Sequence, residues 1–173
     1  MSAIDLYARA TPGFEQRVAD TLDRLADAAA LHAGRIVQAT SLGAEDMVLT
    51  DLIARHELPI AIATLDTGRL HAETLALADA TERRYGLPIE RFGPEATAAL
   101  HFVRTHGELA MRDGVALRRA CCGLRKLEPL ARLLQGRTAW VTGLRREQSD
   151  ARAEVPFEEH DADAGRRKLN PLA

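Results

Sequence analysis

Two hydrophobic rhythms alternate along this chain. Over residues 11–32, Val18, Leu22, Leu25, Ala26 and Ala29 recur at helical spacing, with Asp and Arg between them. Thr11-Pro12 predicts an N-cap followed by proline at the first helical position, and Gly34 a stop. Short apolar stretches then predict strands over residues 35–40, 60–65, 88–92 and 138–142. Amphipathic patterns predict helices over 44–56, 70–85 and 95–106, the first with Met47, Val48, Leu52 and Ile53 on its apolar side. Residues 60–65 carry no charge, as expected of a strand buried on both faces in a parallel sheet. Strand and helix in strict alternation predict an α/β fold with a doubly wound, mostly parallel sheet. At 173 residues, without repeats or a low-complexity linker, a single domain over 1–173 is expected.

Sheets of this kind bind ligands outside the carboxyl ends of their strands. Three post-strand turns are expected there: Ser41-Leu42-Gly43, Asp66-Thr67-Gly68-Arg69 and Gly143-Leu144-Arg145-Arg146. Ser41 offers a hydroxyl and Gly43 a bare backbone at a helix N-terminus, which suits an oxyanion; the same residues also serve as a plain cap. Asp66, Thr67 and Gly68, after Leu65, suit a ribose or base, or simply a tight turn. Arg69 then faces a charged group, with His71 just inside the next helix. Two arginines at a strand end, Arg145 and Arg146, suit bidentate binding of sulfate or phosphate, or a solvated loop. Residues 154–163 read as an acidic surface, and Arg166-Arg167-Lys168 as a basic patch that closes over an anion or stays in solvent. The first turn is not Gly-x-x-x-x-Gly-Lys-Ser/Thr, which excludes a P-loop enzyme.

Both cysteines lie side by side in Arg118-Arg119-Ala120-Cys121-Cys122-Gly123-Leu124-Arg125-Lys126. If this stretch is helical, Cys122 and Lys126 share a face, as do Cys121 and Arg125. Cations beside thiols favour the thiolate, which binds metal or attacks electrophiles. The stretch is thus a soft-metal or thiol-redox site beside an anion site, or two small residues packed for volume. Of 23 basic residues only Lys126 and Lys168 are lysines, so Lys126 stands out. Net charge is −2, which gives no reason to expect nucleic acid or an anionic membrane. Two cysteines do not make a secreted disulfide scaffold, and neighbours pair only in a strained ring. No apolar run reaches about 18 residues and no basic-then-apolar leader opens the chain, so a reduced cytoplasmic protein is expected.

Five segments, in order, resemble the assimilatory adenylylsulfate reductases of the wider phosphoadenylylsulfate reductase family. They are Ala39-Thr40-Ser41-Leu42-Gly43-Ala44-Glu45-Asp46, Thr64-Leu65-Asp66-Thr67-Gly68-Arg69-Leu70-His71, Cys121-Cys122-Gly123-Leu124-Arg125-Lys126-Leu127-Glu128-Pro129-Leu130, Thr142-Gly143-Leu144-Arg145-Arg146-Glu147-Gln148-Ser149 and Lys168-Leu169-Asn170-Pro171-Leu172. The resemblance implies an adenine-nucleotide α-hydrolase-like, Rossmann-like fold. It implies reduction of adenylylsulfate to sulfite and AMP by thioredoxin, in sulfate assimilation for cysteine biosynthesis. It places Ser41, Gly43, Leu65, Asp66, Thr67, Gly68 and Arg69 on adenosine and phosphate, and Arg145 and Arg146 on phosphate and sulfate. Cys121 and Cys122 would ligate a [4Fe–4S] cluster, and Lys126 would sit between cluster and sulfate.

The family pattern adds a later Cys-x-x-Cys and a nucleophilic cysteine in Glu-Cys-Gly-Leu-His, which this chain does not contain. The resemblance is therefore to a C-terminally truncated member or a degenerate one, with two of four cluster ligands, expected to bind nucleotide without completing the reaction. A homo-oligomer is left open. Two alternatives carry different expectations. One is an ATP-splitting adenylyltransferase of the same fold, although the loop lacks that group's second glycine and final serine. The other is a non-catalytic nucleotide-binding module whose two thiols sense redox state.

Overall fold

The computed structural model describes residues 12–161 and 165–173. Helix α1 (Phe14–Leu31) begins after Gly13, whose φ of 74° lets the chain turn into the helix. Pro12 therefore precedes the helix rather than opening it, and Thr11 lies outside the described residues. Then follow β1 (Ile36–Thr40), α2 (Ala44–Arg55), β2 (Ala61–Leu65), α3 (Ala72–Tyr85), β3 (Ile89–Phe92) and α4 (Ala96–His106). Helix α5 (Val115–Cys122) runs through a π turn (Gly123–Leu127) into α6 (Glu128–Leu133). Last come β4 (Ala139–Val141), β5 (Glu158–Asp161) and β6 (Arg166–Leu169).

The sheet order is β3-β2-β1-β4-β6-β5. All neighbours are parallel except β5 and β6. The chain winds outward from β1 to β3, then returns to lay β4 on the other side of β1. That reversal makes the β1–β4 boundary the topological switch point.

Period-two alternation in the strands sorts side chains between two cores. Ile36, Ile62, Ile89, Ala139 and Val141 pack under α1, α2 and α3 against Leu25, Leu49 and Ile53. Val37, Ala63 and Trp140 face the other way, toward Leu130, Leu133 and Leu134. The apolar side of α2 centres on Leu49, which is fully buried, while Val48 is exposed. Leu49, Leu52 and Ile53 share one stripe at i, i+3 and i+4, and Val48 falls off its flank.

Within the two charged segments near the end, Glu158–Asp161 and Arg166–Leu169 are strands, and the acidic one lies largely on the surface as expected. Their charges pair across the β5–β6 ribbon. Glu159 sits opposite Lys168 in register, with Nζ to Oε1 at 2.9 Å, and Arg167 bonds Glu158. Asn170 then pins the hairpin to β4. It is fully buried, its Oδ1 accepts from the Thr142 hydroxyl at 2.6 Å, and its Nδ2 donates to Pro156 O and Glu159 Oε1, each at 2.9 Å.

Replacing Asn170→Ala strands the Thr142 hydroxyl and two acceptors, and should cost about 2 kcal/mol or more in urea denaturation. Lys168, then Asn170, holds the Glu159 carboxyl below the usual glutamate range. A depressed carboxyl adds stability above its unfolded value and loses it as pH falls through the native one. The urea midpoint should therefore fall below about pH 4.3, and fall less in Glu159→Gln.

Candidate functional site

The carboxyl edge is assembled around Asp46, in the first turn of α2. Its Oδ2 accepts from the Ser41 amide at 2.7 Å and the Ser41 hydroxyl at 2.5 Å. Its Oδ1 accepts from the Gly143 amide at 2.8 Å. One buried carboxylate thus joins the turn after β1 to the turn after β4, across the switch point. Gln38 and Thr50 brace it from below: the Gln38 amide donates to Asp46 O at 2.7 Å, and the Thr50 hydroxyl lies 3.0 Å from both Gln38 Oε1 and Asp46 O. A Cβ on Gly143 would stand 2.4 Å from Asp46 Oδ1, so only glycine fits. Leu42, between Ser41 and Gly43, has a φ of 62°, an uncommon conformation held by burial of its side chain and by its amide bonding Thr40 Oγ1 at 3.0 Å.

The turn after β2 folds on its own side chains. Asp66 Oδ1 accepts from the Gly68 amide at 2.9 Å, and Thr67 Oγ1 from the Arg69 amide at 3.2 Å. Gly68 has a φ of 66°. Neither Asp66 nor Thr67 caps α3; His71 occupies that position, exposed and with no side-chain cap bond.

A cavity of about 270 Å³ opens between these turns. Strand β1 contributes Ala39 and Thr40, followed by Ser41. Strand β2 contributes Ala63, Thr64 and Leu65, followed by Thr67 and Leu70. Trp140 of β4 completes the sheet side, and Lys126 and Leu130 close it from the helix opposite. The walls are largely apolar, with hydroxyls at the rim and one ammonium.

That helix is irregular where the chemistry sits. Cys121 and Cys122 end α5, both part-exposed and unpaired. The next five residues form the π turn, with i→i+5 bonding in place of i→i+4. The stretch is helical, and the i→i+4 pairs Cys122–Lys126 and Cys121–Arg125 run from α5 into this π turn. Lys126 lines the cavity, whereas Arg125 is buried, its Nη1 donating to Thr67 O at 2.6 Å.

Of the residues predicted from sequence, Ser41, Leu65, Thr67 and Lys126 meet at the cavity, while Gly43, Asp66 and Gly68 shape the turns beside it. The three arginines point elsewhere. Arg69 reaches Glu108, with Nη2 to O at 3.3 Å. Arg145 pairs with Glu45, Nε to Oε1 at 3.1 Å. Arg146 donates to Val155 O at 2.9 Å and lies 4.9 Å from the Phe157 ring centroid. The Glu45 carboxyl is held below its usual range by its own backbone amide first, then by Gln148 and Arg145. That amide belongs to the first turn of α2, where a helix favours negative charge.

Residues 35–173 match the model of the phosphoadenosine phosphosulfate reductase domain. The chain belongs to that family. Among curated relatives, the adenosine 5'-phosphosulfate reductase of Allochromatium vinosum is 58% identical over 138 residues, covering 80% of this chain and 54% of that protein. The one from Neisseria meningitidis serogroup A is 56% identical over 135 residues, covering 78% and 55%. The Burkholderia cepacia protein is 47% identical over 163 residues, covering 94% and 65%. The chain thus spans between about half and two thirds of the length of these relatives. The phosphoadenylyl-sulfate reductase of Candida auris, solved as a phosphate complex, shares the fold at a TM-score of 0.71 and 22% identity, covering 95% of this chain and 80% of that one.

Asp46, Asn170 and Arg125 carry the site's architecture, and none was picked out as a site residue from sequence. All three stand inside the segments that carry the resemblance, but an acid in the first turn of an apolar-faced helix also fits a residue that merely suits the helix dipole. Gly143→Ala drives a methyl into Asp46. It should destabilise by about 1–3 kcal/mol in thermal or urea melts, with amide exchange rising at both Ser41 and Gly143.

Proposed function

We propose that this domain binds adenylylsulfate and forms the substrate-binding part of an adenylylsulfate reductase. The reaction is reduction of adenylylsulfate to sulfite and AMP, with thioredoxin supplying two electrons as its dithiol becomes a disulfide, in the cytoplasm. The observation that carries this reading is the carboxyl-edge cavity, capped by Lys126 from the helix that bears the paired cysteines. A nucleoside fits its chemistry. Leu65, Leu70, Leu130 and Trp140 offer apolar surface to a base, and Lys126 offers a cation to an anionic group. The AMP leaving group and the sulfate both carry negative charge, and an ammonium beside them favours their separation. Arg145 joins them by exchanging Glu45 for the substrate's phosphate or sulfate.

Cys121 and Cys122 fit two thiolate positions of a four-thiolate iron–sulfur cluster. They are free, part-exposed and next to a cation-bearing turn. They are the two cysteines of the sequence, and among the described residues no group of three or more Cys, His, Asp or Glu gathers as a metal site. A bound cluster would place anionic charge beside Lys126 and tune its field on the sulfate.

Titration of this chain with adenylylsulfate and with AMP, followed calorimetrically, tests the reading. Both should bind. Lys126→Ala should weaken adenylylsulfate about tenfold, the worth of one charge-assisted contact, and AMP less. A chain that binds neither nucleotide, or that instead takes MgATP and releases pyrophosphate, would refute it.

A further inference from the structure

Arg125 has no role in the reading above, yet it is the basic residue most deeply placed beside the site. It is 9% exposed and sits in the π turn, one residue before the cavity-lining Lys126. Its Nη1 donates to the Thr67 carbonyl at 2.6 Å, across 58 residues of sequence. Among the described residues no carboxylate forms an ion pair with it. A buried cation without a counter-charge is costly unless something else holds it. Here the partners are a backbone carbonyl and the concave back of Gly68, where a Cβ would come within 3.2 Å of Nη1. The slot is built for a flat, forked group rather than a round ammonium.

The contact decides the orientation of one peptide plane. In the Asp66-Thr67-Gly68-Arg69 turn, the Thr67 carbonyl points at Arg125 and the Gly68 amide at Asp66 Oδ1. These two groups belong to the same peptide, so each bond fixes the other. The present orientation sets Gly68 at φ 66°, which favours glycine, and glycine also reaches the negative φ of the rotated peptide, so residue 68 itself holds neither orientation. Without Arg125 only the Asp66 contact holds the peptide, and where it rotates the Thr67 wall of the cavity moves with it.

We propose that Arg125 is a positioning residue that locks the Thr67–Gly68 peptide, so that the helix carrying Cys121, Cys122 and Lys126 sets the shape of the nucleotide-binding turn. This builds on the adenylylsulfate-binding reading. The coupling runs both ways: whatever reorders the π turn also reshapes the turn after β2.

The test uses the 173-residue chain, with Arg125→Lys and Arg125→Met. Hydrogen exchange by residue-resolved NMR reads the turn, and AMP titration reads the cavity. In both variants exchange at Gly68 and Arg69 should accelerate at least tenfold, while strand amides in β1 and β4 keep their protection. AMP affinity should fall roughly tenfold to a hundredfold, the range for a lost bond to a charged group. Lysine should not rescue, because it keeps the charge and loses the fork. Gly68→Ala, which crowds the same slot, should show the same exchange pattern. Uniform acceleration across all strands would mean Arg125 only stabilises the fold, and would overturn the proposal. So would unchanged exchange at Gly68, or lysine restoring both readouts. If the parent chain binds no AMP, the nucleotide reading falls, and the exchange arm still decides on Arg125.

Discussion

One buried carboxylate holds the working edge of this protein together. Asp46 accepts three hydrogen bonds from two turns that are 97 residues apart at the Gly143 contact. An ionised carboxylate carries enough lone pairs to satisfy all three donors, and each donor lowers the cost of burying it. The arrangement is demanding on its neighbours. Residue 143 must be glycine, Leu42 must accept a left-handed backbone, and Gln38 and Thr50 must turn polar groups into an otherwise apolar layer. In return the two turns flanking the switch point are set relative to one another by the fold itself. The cavity between β1 and β2 therefore inherits a fixed rim.

The arginines of the post-strand turns, which do not line the cavity, are already engaged. Arg145 rests on Glu45, Arg69 on Glu108, and Arg146 on Val155 and Phe157. Surface ion pairs of this kind are worth little in water and exchange readily for a better-matched anion. An arginine held in this way is presented to solvent without collapsing into the cavity. Lys126 differs in that it borders the cavity and makes no ion pair among the described residues.

Much of the fold was legible in the sequence for a simple reason. Strands β1, β2 and β4 are buried on both faces, so their apolar runs stand out, and glycine turns mark their ends. The same reasoning failed at β5 and β6. Their side chains are charged because they pair with each other at the sheet's edge, and a pattern reader sees two charge clusters rather than a hairpin. At the site, the three turns were legible from position alone. The helix irregularity at Gly123–Leu127 was not, because nothing in Gly-Leu-Arg-Lys-Leu distinguishes i→i+5 from i→i+4 bonding. Asp46, Arg125 and Asn170 were hidden for a shared reason: each acts through a partner remote in sequence or through backbone atoms that all residues possess.

The π turn has one more consequence. A regular helix from Val115 to Leu133 would keep a single angular phase, so its beginning and end would present the same stripe to the sheet. The extra residue inserts a phase slip. After it, Leu130 and Leu133 face the strands; before it, the paired thiols lie on a segment with no buried residue at all. One continuous rod thereby serves two masters, anchored at its far end and displayed at its near end. Shortening this stretch by a single amino acid would restore regularity and force the rod to choose between them.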